Sequence, residues 1–278
     1  MPGRSSKAVG SRGDKEGEAI ERLLAALPDM ELVGLLQGAS NYTFLAKLGP
    51  HPPSGLNVVY KPARGESPLW DFAAGSLYQR EVAAYQLSKV LGWPRIPPTV
   101  VREQAPHGVG ALQLFVEADG RHFLSDQSSQ REPPPGHAKA RPASPQGVED
   151  HGFAIRETWR RIALFDVITN NADRKSGHCL FDAKDNVWVI DHGLTFHTDP
   201  KLRTVIWDFS GEPLPADLCG DVEGALIKLE KGSLAEVLEP LLSPGEIRVL
   251  RRRLRGVLAP EWRFPEPTSA WSVPWPPV

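Results

Sequence analysis

The spacing of apolar residues predicts an α+β chain in which short strands come first and helices follow. Residues 18–27 carry apolar side chains at helical spacing and stop at Pro28. Alternating apolar and polar positions then predict a β-hairpin over residues 30–48 and a strand over residues 56–61. The pattern continues with one helix and two more strands, at residues 78–91, 96–102 and 110–116.

The second half of the chain is predicted to be mainly helical. A helix over residues 155–169 leads into a polar loop, which is followed by strands at 179–181 and 187–190. Three further helices are predicted at residues 221–229, 234–242 and 246–258. We therefore expect two lobes, a β-rich N-lobe over residues 18–117 and a mainly helical C-lobe over residues 118–260.

Three segments have compositions that do not favour a packed core. Residues 1–17 are rich in glycine, serine and charge and are expected to be disordered. Residues 125–150 have the composition of a low-complexity insertion in the C-lobe. Residues 261–278 form a tail rich in proline and tryptophan, which either docks in part on the C-lobe or extends from it.

Composition excludes several classes of protein. The 278 residues include 32 basic and 34 acidic side chains, so a formal net charge of −2 gives no indication of nucleic-acid binding. Two cysteines are too few for a disulfide framework and suit the cytoplasm. The chain has no apolar run long enough to cross a membrane and no signal-peptide pattern, so we expect a cytoplasmic protein without a transmembrane segment.

The most informative stretch runs from residue 165 to residue 196 and places two aspartates around a predicted hairpin. Asp173 lies in the polar loop before the hairpin, and Asp191 follows its second strand. A hairpin brings its two ends together, so we expect both carboxylates at the same end. Two such carboxylates need a cation or a proton between them. Phosphoryl transfer uses this arrangement, with one aspartate for the acceptor hydroxyl and another for Mg²⁺.

A lysine and a glutamate in the N-lobe extend this interpretation. Lys61 ends an apolar strand, and Glu81 lies beside the apolar face of the next helix. A strand lysine paired with a helix glutamate aligns nucleotide phosphates in kinases. A solvated lysine at a strand end is the alternative. Asp166, in the last turn of the helix before the loop, carries a charge that a helix C-terminus disfavours, so we expect it to accept hydrogen bonds from the loop backbone.

Two further segments contain candidate nucleotide-binding residues, and each segment also has a purely structural interpretation. Gly38, Ser40 and Asn41 lie in the turn of the first hairpin, where free backbone N–H groups could face a phosphate or simply close the turn. Phe115 and Val116 precede the break at residues 117–120. They either contact an adenine at a hinge between lobes or end an edge strand.

The residues in this order resemble the phosphatidylinositol 3-/4-kinase superfamily, and most of all its type II phosphatidylinositol 4-kinase branch with its bacterial relatives. The likeness spans residues 30–210 and is strongest in two motifs, FDVITNNADRKSGH and WVIDHGLTF. The segments VVYKP, REVAAYQLSKVLG, IPPTV and GALQLFVEA also carry it.

The resemblance implies a two-lobed protein-kinase-like fold that uses ATP with Mg²⁺ or Mn²⁺. By this resemblance Lys61 holds the α- and β-phosphates and Glu81 orients it. Asp173 is the catalytic aspartate and Arg174 a further catalytic residue, while Asp191 and His178 occupy the metal positions. Gly38, Ser40 and Asn41 fall in the phosphate loop, and Phe115 and Val116 at the adenine. The acceptor is a hydroxyl of a lipid head group, a protein or a small molecule.

The chain departs from the family at the second metal position. The family usually has an asparagine five residues after the catalytic aspartate, where this chain has His178. Imidazole can bind Mn²⁺ but suits Mg²⁺ poorly, so an inactive nucleotide-binding scaffold stays open beside the kinase. A protein kinase of the same superfamily is a further alternative. The cysteine-rich lipidation motif of eukaryotic type II enzymes is absent.

The sequence disfavours a zinc site and phosphate loops of other nucleotide-binding folds, and it leaves one basic surface open to two interpretations. Zinc binding by His178 and Cys179 is disfavoured because neighbours on a strand point to opposite faces. Phosphate-binding loops of the P-loop and Rossmann types are absent from the sequence. A basic face on the last helix either contacts an anionic membrane weakly or is simply solvated; it consists of Arg248, Arg251, Arg252 and Arg255.

Overall fold

The computed structural model describes residues 10–36, 41–49, 55–123 and 145–277, which fall into two compact units. Unit 1 comprises Met1–Tyr85 and Pro97–Phe115, and unit 2 comprises Gln86–Ile96 and Val116–Val278. Unit 1 is built on a five-stranded sheet, and unit 2 is mainly helical. The predicted α+β class, with a β-rich N-lobe and a mainly helical C-lobe, is confirmed.

The sheet of unit 1 is antiparallel throughout, with strand order β1-β2-β3-β5-β4. Helix α2 (Leu77–Leu91) follows β3 in the chain and passes from unit 1 into unit 2. The strands are β1 (Met30–Leu35), β2 (Phe44–Leu48), β3 (Leu56–Pro62), β4 (Thr99–Arg102) and β5 (Gly110–Leu114). Phe115 and Val116 therefore lie just beyond β5, which is shorter than the sequence predicted.

The core of unit 1 forms where helix α1 (Gly10–Ala26) packs on the sheet. Leu24 joins a fully buried cluster with residues of β2, β3 and β5: Ala46, Leu48, Val58, Tyr60 and Leu112. Arg102 fixes the end of the helix, because its guanidinium donates to the carbonyls of Ala25 at 2.7 Å and Leu27 at 2.8 Å.

The first helix corrects one expectation. Residues 10–17 are helical rather than disordered, since α1 begins at Gly10. Residues 1–9 of the predicted disordered segment lie outside the part of the chain that the structure describes.

Unit 2 is organised around helix α3 (Pro145–Thr169), whose buried face includes Trp159, Ile162 and Phe165. The helix begins within the segment predicted to be an insertion, so residues 145–150 are helical; residues 124–144 lie outside the described chain. A hairpin and three helices follow: β6 (Cys179–Phe181), β7 (Val187–Val189), α4 (Ala216–Glu230), α5 (Ser233–Leu238) and α6 (Pro244–Val257).

Helix α6 confirms the predicted capping box. Ser243 Oγ accepts from the amide of Glu246 at 3.3 Å, and the Glu246 carboxylate accepts from the amide of Ser243 at 2.8 Å. Its apolar stripe packs against α3 and α4. On the basic face, Arg248 and Arg252 are exposed, whereas Arg255 forms an ion pair with Glu230 at 2.5 Å. The predicted membrane contact of this face is not tested by these contacts.

Candidate active site

Lys61 and Glu81 form an ion pair inside unit 1. Lys61 Nζ lies 2.5 Å from Glu81 Oε1, and the side chains are 19% and 3% exposed. A carboxylate this buried requires a cationic partner, because an unpaired charge in the protein interior is costly. The structure thus brings together the two N-lobe residues that the sequence predicted to pair.

The register of β3 explains why Lys61 reaches the helix. Val58, Tyr60 and Pro62 are buried, and Val58 and Tyr60 contribute to the core beneath α1. Lys61 lies between them in the alternation and so points to the opposite face of the sheet. Gly110 lets β5 approach at this point, since a Cβ there would lie 2.3 Å from the Lys61 carbonyl oxygen.

The predicted phosphate loop is described only at its end. Gly38 and Ser40 lie outside the described residues. Asn41 is described, and its Oδ1 accepts from the amide of Ser67 at 2.7 Å. The side chain of Asn41 therefore ties this loop to the segment after β3, while its predicted contact with phosphate stays a prediction.

The two predicted adenine-contacting residues fall on either side of the division between the units, with Phe115 in unit 1 and Val116 in unit 2. Both are half-buried, and the amide of Phe115 donates to the carbonyl of Asn57 at 3.0 Å. Their contact with adenine stays a prediction.

In unit 2 the β6–β7 hairpin joins the loop of residues 173–178, called the catalytic loop after its predicted role, to Asp191. Cys179 pairs with Val189, and the next pair outward joins the amide of Ile190 to the carbonyl of His178 at 2.9 Å. The residue after Ile190 is Asp191, which has φ of 61°. This left-handed conformation is uncommon outside glycine and is held here by its two neighbours, which are both bound to Arg174.

Arg174 is a fully buried guanidinium at the centre of unit 2. Its Nε and Nη2 donate to the Asp166 carboxylate at 3.1 Å, its Nη1 donates to the carbonyl of Ile190 at 2.8 Å, and Nη2 also lies 2.8 Å from His192 Nε2. The side chain thereby connects the last turn of α3 to both neighbours of Asp191. Since it is buried and bound on several sides, Arg174 positions the site rather than contacting a substrate in our proposal below.

Asp166 is fully buried, and its donors differ from those expected. Side chains bind its carboxylate: Arg174, Asn171 at 3.0 Å, and Thr204 at 3.4 Å. Burial raises the pKa of Asp166, while the charge and hydrogen bonds of Arg174 oppose that rise. The sequence analysis predicted backbone donors from the unfavourable charge of Asp166 at a helix C-terminus. That charge does not indicate which polar side chains of the loop face inward.

Asp173 is the residue of the loop whose pKa is raised toward neutral pH. Its pKa is raised to about 6: burial raises it most, the charge of Lys175 lowers it, and the negative charge of Asp191 raises it. Lys175 Nζ lies 3.6 Å from Asp173 Oδ2. Asp191 therefore lies within Coulombic range of Asp173, while the catalytic and metal-binding roles of the two carboxylates stay predictions.

His178 contacts both the loop and the metal-binding candidate. Its Nδ1 accepts from the amide of Lys175 at 3.3 Å, and its Nε2 lies 3.3 Å from Asp191 Oδ2. A neutral imidazole that accepts at Nδ1 has its proton on Nε2, facing the carboxylate. His178 is therefore adjacent to Asp191, although its predicted role as a metal ligand is untested.

Asp173 and Asp191 are the residues that fit a divalent cation. Two neighbouring carboxylates supply the hard oxygen ligands that Mg²⁺ and Mn²⁺ prefer, and the charge of Asp191 adds to the rise that burial causes in the pKa of Asp173. Across the described ranges, no group of three or more histidine, cysteine, aspartate or glutamate side chains is arranged to hold a metal unaided. A cation here would need further oxygens, such as those of nucleotide phosphates.

The zinc alternative has little support in unit 2. Cys179 is buried, and burial raises its pKa to about 12, which disfavours the thiolate that zinc requires. His192 Nε2 is bound to Arg174. Among the described residues, each helix is too short or too polar to span a lipid bilayer.

Comparisons with known proteins show one related chain and two structures of low similarity. Protein Rv2133c of Mycobacterium tuberculosis is 39% identical over 269 residues, which covers 91% of this chain and 94% of that protein. No family model matches the chain. The Helicobacter pylori proinflammatory kinase CtkA is 13% identical, over 82% of this chain and 91% of its own, with a TM-score of 0.46. Hydra Fam20 with sugar is 15% identical, over 88% of both chains, with a TM-score of 0.45. These TM-scores are too low to support an inference about function.

Proposed function

We propose that this chain, which belongs to the family of Mycobacterium tuberculosis protein Rv2133c, is an ATP-dependent phosphotransferase that moves the γ-phosphate to a hydroxyl acceptor. The observation that carries the proposal is the pair of neighbouring carboxylates in unit 2, of which Asp173 has a pKa of about 6. A carboxylate that ionises near neutral pH suits a base that accepts a hydroxyl proton.

The two carboxylates have different surroundings, which supports separate roles. Asp173 is partly buried and bound by Lys175, whereas the Asp191 side chain is 48% exposed. We assign Asp173 to the acceptor hydroxyl, whose proton it would accept, and Asp191 to the divalent cation. When bound, the cation would neutralise phosphate oxygens and stabilise the charge of the transferring group.

Most of the residues proposed to bind the nucleotide belong to unit 1. The Lys61 ammonium, oriented by Glu81, would donate charged hydrogen bonds to the phosphate oxygens. Asn41, Gly38 and Ser40 are proposed for the phosphate loop, and Phe115 and Val116 for the adenine. Arg174 would hold the position of Asp191 through Ile190 and His192 rather than take part in the chemistry.

ADP release with an acceptor mixture is the direct test. The wild type should release ADP with Mg²⁺ or Mn²⁺, and Asp173→Ala should lower the rate by about a hundredfold or more, the scale of a lost general base. Thermal-shift titration with ATP and each metal measures binding in the same proteins. If ATP binds but the wild type and Asp173→Ala show equal background ADP release with every acceptor, the phosphotransferase proposal is wrong.

A non-catalytic scaffold is the second candidate, and His178 is the observation that favours it. His178 occupies the position where the resembled family has an asparagine, and its Nε2 lies 3.3 Å from Asp191. His178→Asn separates the two functions. An enzyme limited by this residue gains activity with Mg²⁺, whereas a scaffold binds ATP equally and releases no ADP in either form.

The phosphatidylinositol 3-/4-kinase relationship and the acceptor class belong to this proposal as well. The acceptors to be compared are a lipid head group, a protein hydroxyl and a small-molecule hydroxyl, each with radiolabelled ATP. We place the reaction in the cytoplasm because the two cysteines, Cys179 and Cys219, are both free thiols.

A further inference from the structure

The last described residues of the chain return to the catalytic loop. Their path begins at Phe264, which is buried and lies with its ring centroid 5.9 Å from that of Phe209. The amide of Phe264 donates to Glu212 at 2.9 Å, and its carbonyl accepts from Gly211 at 3.0 Å. The tail predicted from composition is therefore anchored on unit 2 at its beginning.

A second anchor lies at a short 3₁₀ turn, Ala270–Ser272. Ser272 is 7% exposed, and its hydroxyl accepts from the amides of Thr268 at 3.1 Å and Ser269 at 3.3 Å. The turn presents the Ser272 carbonyl to the amide of Thr204 at 3.0 Å. Thr204 is in turn bridged to Arg174, the buried residue of the catalytic loop.

The third anchor is within the catalytic loop itself. The carbonyl of Pro277 accepts from the amide of Ser176 at 2.8 Å. Ser176 is buried and opens the 3₁₀ turn Ser176–His178. An N–H group at the start of a helical turn has no acceptor within the turn, so Pro277 supplies one.

We propose that residues 268–277, the C-terminal strap, are a positioning element for the catalytic loop. The strap contacts the loop directly at Ser176 and, through Thr204, is linked to it at Arg174. It thereby fixes the segment that extends from Asp173 to His178. Its catalytic consequence rests on the proposed phosphotransferase function, whereas the contact itself does not.

Amide hydrogen exchange tests the contact without reference to activity. A chain that ends at Ser272 keeps the second anchor and lacks Pro277. Its Ser176 amide should exchange about tenfold faster or more than in the wild type, because a buried donor loses its acceptor. Trp275→Ala is the matched control, since this side chain is 87% exposed and its removal leaves the backbone of the strap in place.

A full-length pair of variants tests the positioning role. Ser176→Pro removes the donated N–H, and proline is compatible with the first position of a helical turn after the extended Lys175, which has φ of −93° and ψ of 161°. Ser176→Ala keeps the N–H and is its control. Ser176→Pro and the shortened chain should lower kcat for ADP release about tenfold while changing the Kd for ATP less than about twofold, because the lost hydrogen bond acts on the loop.

The outcomes separate the strap from the proposed function. Unchanged exchange at Ser176 in the shortened chain overturns the contact, even if the wild type proves to be inactive. Faster exchange with unchanged kcat in an active enzyme overturns the positioning role. Loss of activity in Trp275→Ala with normal exchange at Ser176 also overturns it, because the tail would then act through an exposed ring rather than through its backbone. An inactive wild type with fast exchange in the shortened chain supports the contact and removes the phosphotransferase proposal.

Discussion

Replacing Asp173 by asparagine should stabilise the metal-free protein near neutral pH while abolishing the proposed activity. Burial is the largest cause of the raised pKa of Asp173, which moves from 3.8 to about 6. A shift of this size corresponds to at most about 3 kcal/mol of unfavourable free energy for the ionised carboxyl in the folded state. The Asp173 side chain is 29% exposed and contacts Lys175, so about 2 kcal/mol is the expected gain after solvent screening.

The pH dependence of this gain follows from the direction of the shift. The folded protein binds the proton more tightly than the unfolded chain, so the wild type loses stability as pH rises from about 4 to about 6. Above that range the loss is complete, and below it both states are protonated. Asp173→Asn has no such dependence. Its advantage should therefore be near zero at pH 4 and largest at pH 7.

Urea unfolding of both proteins with EDTA, at a series of pH values, measures the difference directly. Asp182→Asn is a control of opposite sign. Burial acts to raise the pKa of Asp182, but hydrogen bonds from Trp188 at 2.9 Å and Asn186 at 2.8 Å hold it below its usual range. Asp182→Asn should thus destabilise the protein at pH 7. The burial argument would be refuted if Asp173→Asn unfolds at a lower urea concentration than the wild type at pH 7. A stability gain of the variant that grows toward pH 4 would refute it as well.

Three other substitutions test separate parts of the site. Lys61→Met should weaken ATP binding by calorimetry about tenfold or more, since it removes the charged donor proposed for the phosphates, and unchanged affinity would contradict the phosphate assignment. Arg174→Met should cost about 3–5 kcal/mol of unfolding free energy by leaving Asp166 buried without its cation, and a loss below about 1 kcal/mol would contradict the buried-pair interpretation. His178→Asn should raise ADP release with Mg²⁺ relative to Mn²⁺, because the amide oxygen adds a ligand of the kind that Mg²⁺ prefers. An unchanged metal ratio would show that this position does not affect the cation.

The strands and the hairpin that carry the site were predictable because their signals are local. Alternation placed Lys61 on the face of β3 opposite the core, and the turn after Phe181 was sufficient to bring the residues around Asp173 and Asp191 together. The capping box at Ser243 was read correctly for the same reason. Each of these features depends on neighbours only a few positions apart.

The parts that sequence reasoning missed depend on contacts between distant segments. Residues 10–17 and 145–150 are rich in residues that weaken isolated helices, yet they continue α1 and α3, whose later turns pack in their units. The docking position of the strap was not predicted, because its bonds to Thr204 and Ser176 use backbone N–H groups rather than side chains. The sole sequence signal was the cluster of prolines, which restricts the tail without indicating where it docks.

The hydrogen bonds of His178 decide between two roles for its side chain, a metal ligand or a group that orients Asp191. To bind a metal through Nε2, a neutral imidazole must move its proton to Nδ1, where the amide of Lys175 now donates at 3.3 Å. Two donors would then face each other, and the hydrogen bond that fixes the ring in the 3₁₀ turn would be lost. His178 can keep that bond only if Nε2 retains its proton beside Asp191. In this arrangement the histidine orients the Asp191 carboxylate, and a cation would take its remaining ligands from phosphate oxygens and water rather than from the ring.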